Sequence, residues 1–405
     1  PPGGPDGPII GNGDVGAMLG ASAAGNISLW LTKNDLWNLA SWEPECRYGT
    51  FNYTLKVPPM KIETQCGTGR SLDRNSQGMS GGISITPVGD PISDEHWHAA
   101  QHMVNGTAAG RFSTLSGANI LSDSFVVAPH SPLTSKVSFV ITRLQTSAQA
   151  PLQMAVGTHA GGIAAHPTAG AGGGAGTGGT SANETWGSWV TAVTRPPPGG
   201  MRNGSNITLA IATRLVLGDG TGSSIAPGAS TFTLAATQPV WVVSALLSNI
   251  DHGEHNPVPA AFAALQQLTA SSLSTMLSQH VLWWQAYWSR SSVSLPTRQL
   301  YAERMWYSSQ YVLGAGTRFG GDAKKVAPAL NGAWIFGGEH NAFTLDYNAE
   351  APYYGVASSN RAELILPYAT VVLDFMANAR TESAYFQCPS GLHYPGAIGP
   401  FGYYN

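Results

Sequence analysis

The stretch ITLAIATRLVL, residues Ile207–Leu217, is rich in β-branched side chains, which is typical of a β-strand. Similar runs recur through the first 255 residues, separated by Gly, Pro and Asn. They are ISLWLT (Ile27–Thr32), SFVVA (Ser124–Ala128), KVSFVIT (Lys136–Thr142), STFTLAA (Ser230–Ala236) and VWVVSALL (Val240–Leu247). Many short strands without intervening amphipathic helices predict an antiparallel β-sandwich over residues 1–255.

The composition changes near Pro257, where helix formers replace β-branched residues. Apolar residues at three- and four-residue spacing over Pro259–Ser291 predict a long helix or a helical pair, which makes residues 256–295 a linker. Four rings at helical spacing are expected to seal this helix onto the sandwich; the alternative role is sugar stacking. They are Trp283, Trp284, Tyr287 and Trp288.

Residues 296–405 predict further helices. One begins near Pro296, and a second stretch runs from about Asn360 to Asn378 with a kink at Pro367. One face of the first of these helices is marked by four side chains. They are Leu300, Met305, Ser308 and Val312.

Composition excludes several classes of function. Charged residues make up 11% of the 405 residues and the net charge is −3, so no basic footprint for nucleic acid is present. No apolar run reaches the ~18 residues that span a bilayer, so no membrane insertion is predicted. The chain starts at Pro1 without Met, which indicates a processed protein or a fragment.

Asn-X-Ser/Thr sequons are frequent for a chain this poor in charge, which favours a secreted, extracellular glycoprotein, including one of a cell wall. The acceptors are Asn26, Asn52, Asn105, Asn183, Asn203 and Asn206. Cys46 and Cys66 are close enough to form a disulfide in an oxidising compartment, with Cys388 left over. Three buried thiols are the alternative.

Three short patterns are interpreted as structural. Gly11–Gly16 matches a dinucleotide fingerprint but lacks the helix that must follow, so a turn in a β domain is predicted. Gly78–Gly82 matches a nucleophile elbow but precedes a strand-like run, so a loop is predicted. The histidines of an H-x-H-x3-H pattern lack acidic or Cys partners and are predicted to lie on the surface without a metal. They are His96, His98 and His102.

The stretch WIFGGEHNAFTLDYNAEAPYYGVASSNRAE, Trp334–Glu363, combines six aromatic rings, three asparagines and five charged side chains. Rings cover the apolar faces of a sugar, while amides and carboxylates bond its hydroxyls. Asp346 and Asn348 lie two apart, so on an extended backbone they point the same way and could hold a water. Glu339 and Glu363 are interpreted as solvated or capping residues.

A family resemblance rests on motifs at both ends of the chain. IIGNGDVGAMLG (Ile9–Gly20) and ISLWLTKNDLW (Ile27–Trp37) resemble the opening of glycoside hydrolase family 95, α-L-fucosidases and α-L-galactosidases with a GNGxxGAM turn. TLDYNAEAPYYGVASSNRAEL (Thr344–Leu364) is similar to that family's N-x-N … N-x-x-E segment at the head of its catalytic barrel.

The resemblance implies a multidomain β plus α fold: an N-terminal antiparallel β-sandwich, a helical linker and a partial (α/α)6 barrel over residues 296–405. It also implies that Asp346 and Asn348 activate the attacking water of an inverting hydrolase, although the family has an amide where Asp346 stands. Only 57 residues follow Asn348, whereas twelve helices with loops need about 200 residues. The sequence therefore predicts a fragment or a truncated relative, the barrel being completed by its own remainder or by a partner chain.

The leading hypothesis is a secreted inverting glycoside hydrolase for α-L-fucosyl or related glycans, with no cofactor because carboxylates suffice. Asp346 and Asn348 are the predicted catalytic residues. The predicted substrate-binding residues are Trp334, Glu350, Tyr353, Tyr354, Asn360 and His393. The alternative hypothesis is a non-catalytic glycan-binding or structural glycoprotein of a cell wall or extracellular matrix.

Overall fold

The computed structural model describes residues 7–22, 25–38, 76–127, 137–160, 177–181, 184–191, 207–218, 231–236, 238–249, 257–317, 343–345, 347–385, 388 and 390–399. Fourteen strands lie in the described part of the first 255 residues. They are β1 (Ile9–Gly11), β2 (Val15–Ser22), β3 (Asn26–Asn38), β4 (Ser76–Pro87), β5 (Ile92–His102), β6 (Thr107–Thr114), β7 (Asn119–Val126), β8 (Ser138–Thr146), β9 (Leu152–Ala160), β10 (Thr177–Ser181), β11 (Glu184–Thr191), β12 (Ile207–Leu217), β13 (Thr231–Leu234) and β14 (Val240–Ser248).

These strands form two antiparallel sheets among the described residues. One has the order β1-β2-β3-β4-β9-β13 and the other the order β10-β11-β12-β14-β8-β7-β6-β5. Apolar side chains from both sheets, among them Leu29, Ile83, Val140 and Ile211, form one buried cluster. Because alternate residues of each strand face the opposite sheet, this cluster is the core of the predicted β-sandwich.

Helices follow the sandwich. They are α1 (Val258–Gln266), α2 (Ala270–Trp288), α3 (Leu300–Gly316), α4 (Leu366–Asp374) and α5 (Met376–Tyr385). The predicted helical pair is confirmed, and a capping box between Thr269 and Ser272 begins its second member. Leu265 and Met276 of this pair join Phe125 and Val243 in a second buried cluster, so α1 and α2 cover one face of the eight-stranded sheet.

A third buried cluster joins the sandwich, the linker and the region after it. Trp284 and Tyr287 of α2 pack there with Trp30 of β3, Tyr311 of α3 and Tyr353. Trp288 Nε1 donates a hydrogen bond to the carbonyl of Met103, 2.9 Å away. The linker rings therefore hold the helix on the sandwich, as predicted.

Two predictions about local structure are wrong. Gly78–Gly82 is not a loop but part of strand β4, with a register irregularity in its pairing with β3. Pro367 does not kink a helix. It lies in the first turn of α4, which follows a 3-10 turn over Ala362–Ile365. An N–H in the first turn of a helix has no intrahelical partner, so proline removes no helical hydrogen bond there.

Two other patterns have the predicted local structure. Gly11–Gly16 spans the turn between β1 and β2. The three histidines lie exposed on β5.

Three of the positions that mark one face of α3, Leu300, Met305 and Val312, lie on the exposed side of this helix, and each is more than a third accessible to solvent.

Among the described residues, no helix combines the length and apolar character needed to cross a bilayer.

Candidate functional site

The candidate site is the described part of the aromatic-polar stretch, residues 343–345 and 347–363. Trp334, Glu339 and Asp346 lie outside the described residues, so the pairing of Asp346 with Asn348 stays a prediction. Cys46 and Cys66, with the sequon residues Asn52, Asn183, Asn203 and Asn206, also lie outside them.

A short two-stranded ribbon positions the start of this stretch. Strand β15 (Phe343–Thr344) pairs antiparallel with β16 (Ala397–Ile398). The Leu345 N–H donates to the Gly396 carbonyl at 2.8 Å, and the Ala349 N–H donates to the Thr344 carbonyl at 2.9 Å. The ribbon therefore fixes the chain on both sides of the position of Asp346.

Four side chains after the ribbon form what we call the tyrosine–glutamate patch: Tyr347, Asn348, Glu350 and Tyr354. The two phenol rings are 60% and 65% exposed, and their centroids lie 6.4 Å apart in an edge-to-face arrangement. Tyr354 Oη donates a hydrogen bond to Glu350 Oε2 at 3.1 Å. That bond favours the neutral phenol and raises the pKa of Tyr354. The patch thus offers exposed rings beside a carboxylate, with the exposed Asn348 next to Tyr347 in the chain, and sugars are bound by groups of these kinds.

The predicted ligand Tyr353 points away from this surface and is buried. Its ring lies 5.1 Å from that of Tyr368, and its hydroxyl lies 3.4 Å from Thr317 Oγ1. Burial disfavours the phenolate and raises the pKa of Tyr353 to about 12. Tyr353 belongs to the third buried cluster, and its backbone N–H donates to the Glu350 carbonyl at 2.8 Å.

The raised pKa of Tyr353 predicts a specific alkaline sensitivity. Between pH 10 and about 12 the unfolded state loses this proton and the folded state keeps it, so stability is complete below pH 10 and falls above it. The stability of the wild-type protein should fall relative to Tyr353→Phe by up to about 1.4 kcal/mol per pH unit in that window. Urea unfolding of both proteins at several alkaline pH values measures this difference. Parallel profiles would contradict it.

The end of the stretch is bound to the linker. Asn360 adopts a positive φ of 58° and its Nδ2 donates to the Arg290 carbonyl at 3.3 Å. Glu363 forms an exposed ion pair with the Arg290 side chain. Arg361, which sequence analysis did not select, is fully buried between them. The predicted sugar ligand Asn360 therefore already uses its amide in holding the segment to the linker.

The other predicted residues lie on the surface or at turns. His393 is exposed, and its backbone N–H donates to the Ala379 carbonyl of α5 at 3.0 Å. Asn26 begins β3 and Asn105 lies in the turn between β5 and β6. Cys388 is exposed and forms no disulfide with a described residue. Within the described ranges, no three His, Cys, Asp or Glu side chains are grouped so that they could hold a metal ion.

No protein family model matches the chain, and no curated protein matches it. Comparison with solved structures does find matches. A putative kojibiose phosphorylase from human microbiome superposes with a TM-score of 0.59 at 12% identity and covers 96% of this chain. This chain covers 49% of that protein, and so spans about half its length. A bacterial glucoamylase complexed with acarbose gives a TM-score of 0.34 at 10% identity, with 76% of this chain and 40% of that chain covered.

The likeness to the phosphorylase bears on the fold alone, because the identity is low. It runs through the sandwich, the linker and the helices that follow. The predicted fold class, a multidomain β plus α protein with an N-terminal antiparallel β-sandwich, a helical linker and part of a helical barrel, is confirmed.

Proposed function

We propose that the protein acts on glycosidic bonds, as a secreted inverting glycoside hydrolase for α-L-fucosyl or related glycans. The tyrosine–glutamate patch is the observation that carries this proposal. Two tyrosine rings stand exposed beside a carboxylate, with the exposed Asn348 next to one of them in the chain, and rings of this kind can stack on the apolar faces of a sugar. The similarity in fold to a protein named as a putative phosphorylase of the disaccharide kojibiose supports a carbohydrate substrate.

In this proposal Asp346 and Asn348 hold the water that attacks the anomeric carbon. A protonated carboxylic acid, on the opposite side of the sugar, donates its proton to the glycosidic oxygen. Inversion requires about 6.5–9.5 Å between the two carboxyl groups to leave room for the water. Tyr347 and Tyr354 stack against the sugar ring, and Glu350 accepts a hydrogen bond from one of its hydroxyls.

Activity on aryl α-L-fucosides and α-L-galactosides tests the proposal in the full-length protein. Removing the group that activates the water should lower kcat by about 10²–10⁴-fold in Asp346→Ala. Asn348→Ala should show a loss in the same direction. Gln149→Ala, in an exposed turn between β8 and β9, serves as the matched control. Unchanged turnover in both site variants would remove the catalytic role of these residues.

Two additional measurements distinguish related functions. Dependence of turnover on inorganic phosphate would identify phosphate, and not water, as the attacking group. Binding to immobilised polysaccharide without product release would instead support the alternative, a non-catalytic glycan-binding glycoprotein. The carboxylate of Asp346, where the resembling family has an amide, is the feature that favours that alternative.

We further propose that α3 packs against additional barrel helices, supplied by the remainder of the same protein or by a partner chain. Leu300, Tyr301, Met305 and Val312 leave apolar surface exposed along this helix. Burial of such a surface is worth roughly 25 cal/mol per Å². The mass of the native particle, measured before and after glycan removal, tests both this assembly and the proposed glycosylation.

A further inference from the structure

Arg361 is a charged side chain in an unusual environment. It has 0% exposure, and among the described residues no carboxylate pairs with it. Its guanidinium donates from Nη1 to the Ser359 carbonyl at 2.7 Å and to Ser291 Oγ, and from Nη2 to the Tyr287 carbonyl at 2.9 Å. The guanidinium carbon lies 4.2 Å from the centroid of the Tyr287 ring.

Burial of an unpaired cation is costly unless its donors are satisfied. Here the two carbonyls, the hydroxyl and the face of Tyr287 replace the water around the two terminal nitrogens, whereas Nε has no hydrogen-bond partner among the described residues. All these partners lie in two short segments of the chain. One segment is the end of α2 with the residues that follow it, and the other is the turn that ends at Ser359. The geometry of a planar guanidinium fixes the distance between those pieces.

Neighbouring contacts reinforce the same junction. Ser291 Oγ donates to the Ser359 carbonyl at 2.7 Å, and Asn360 Nδ2 donates to the Arg290 carbonyl. The Arg361 N–H donates to the Val356 carbonyl at 2.7 Å, which closes the turn that leads back to Tyr354. A shift of Arg361 is therefore transmitted through only a few residues to the tyrosine–glutamate patch.

We infer that Arg361 is a positioning residue: it anchors the patch-bearing segment, residues 347–360, to the C-terminal end of α2, and so fixes the orientation of Tyr354 and Glu350 toward a bound sugar. This inference rests on the proposed function, because the patch is the sugar-binding part of the proposed site. Lysine at this position keeps the charge but has no planar fork to bridge both pieces of chain.

The test compares Arg361→Lys with Glu363→Gln, which disrupts only the exposed ion pair of the same junction, and with Arg380→Lys on α5. Hydrogen exchange of the backbone amides of residues 347–360 should become at least tenfold faster in Arg361→Lys. It should remain unchanged in both controls. With an aryl glycoside, KM should rise about tenfold while kcat changes less than twofold, as expected for lost substrate binding.

Each outcome decides the inference. Unchanged exchange in a folded Arg361→Lys protein would show that Arg361 does not anchor the segment. Faster exchange with unchanged KM would show that the segment is anchored but does not bind the substrate, which also overturns the positioning role. A lowered kcat at constant KM would indicate a smaller folded fraction, a structural role only. If the proposed function is wrong, the wild-type protein will neither hydrolyse glycosides nor bind glycans. That result is distinct from those of the Arg361→Lys comparison, and it would overturn the positioning role whatever the exchange rates are.

Discussion

Replacing Lys33 with methionine is expected to lower the free energy of unfolding by about 3–5 kcal/mol. Lys33 is fully buried, with Nζ 2.6 Å from Asp14 Oδ1 and 3.2 Å from Asp35 Oδ2. Ser138 and Ser248 donate hydrogen bonds to the same carboxylates. Without the ammonium group, the Asp14 carboxylate and the buried Asp35 carboxylate both lose their cation, and the side chain of Asp35 is only 2% exposed to water. Urea unfolding followed by tryptophan fluorescence measures the loss.

The effect of this variant should extend beyond the sandwich, because Asp14, an ion-pair partner of Lys33, lies in the turn between β1 and β2. The Gly13 N–H donates to the Ala315 carbonyl at 2.8 Å, at the end of α3. Asn34 Nδ2 donates to the Gly13 carbonyl at 3.2 Å, and the Asn34 N–H donates to the Asp14 carbonyl at 2.8 Å. The two N-terminal motifs of the family resemblance therefore meet here and hold the last turn of α3.

A matched control uses a cation of an exposed pair. Arg290 and Glu363 are each 42% exposed, so solvent screens their attraction, and Arg290→Met should cost at most about 1 kcal/mol. Equal losses for Lys33→Met and Arg290→Met would contradict the importance assigned to burial of the cluster around Lys33.

Strand composition predicted much of the sandwich, since β12 occupies Ile207–Leu217 as the β-branched run indicated. Strands β4 and β5 did not follow that rule. Ser76–Pro87 is rich in Gly and Ser, and Ile92–His102 is rich in His and acidic residues. Both are strands because their neighbours offer backbone partners, and pairing of this kind overrides local preference.

Composition also located the candidate site, but it did not identify the buried residues that hold the site and the sandwich in place. The tyrosine–glutamate patch lies within the stretch selected for its mixture of rings and polar groups. The sequence-based list of sugar-binding residues omits Tyr347, although its position between Asp346 and Asn348 indicates that it belongs to the site. Arg361 binds Tyr287, 74 residues earlier in the chain, and Lys33 of β3 pairs with Asp14 in the turn before β2. Such partners follow from tertiary packing, which spacing along the sequence does not encode.

Substituting Gly106 with alanine should destabilise the protein by at least about 3 kcal/mol. Gly106 lies in the turn between β5 and β6 with φ +66°, and a Cβ there would fall 1.8 Å from Trp284 Nε1. The indole cannot easily move. It is fully buried and stacks on the Tyr311 ring, with centroids 4.9 Å apart. His280 Nε2 also lies within hydrogen-bond distance, 3.1 Å, of the Gly106 carbonyl.

Gly117→Ala separates the steric clash from backbone strain. Gly117 also has a positive φ, +89°, but a Cβ there would meet nothing within 4 Å, so its substitution should cost only about 1–2 kcal/mol. Equal losses at Gly106 and Gly117 would contradict the clash. Combining Gly106→Ala with Trp284→Phe provides a second test, since phenylalanine lacks the indole nitrogen nearest the new methyl group. The double variant should then lose less stability than the sum of the two single substitutions, because residues in direct contact are not additive.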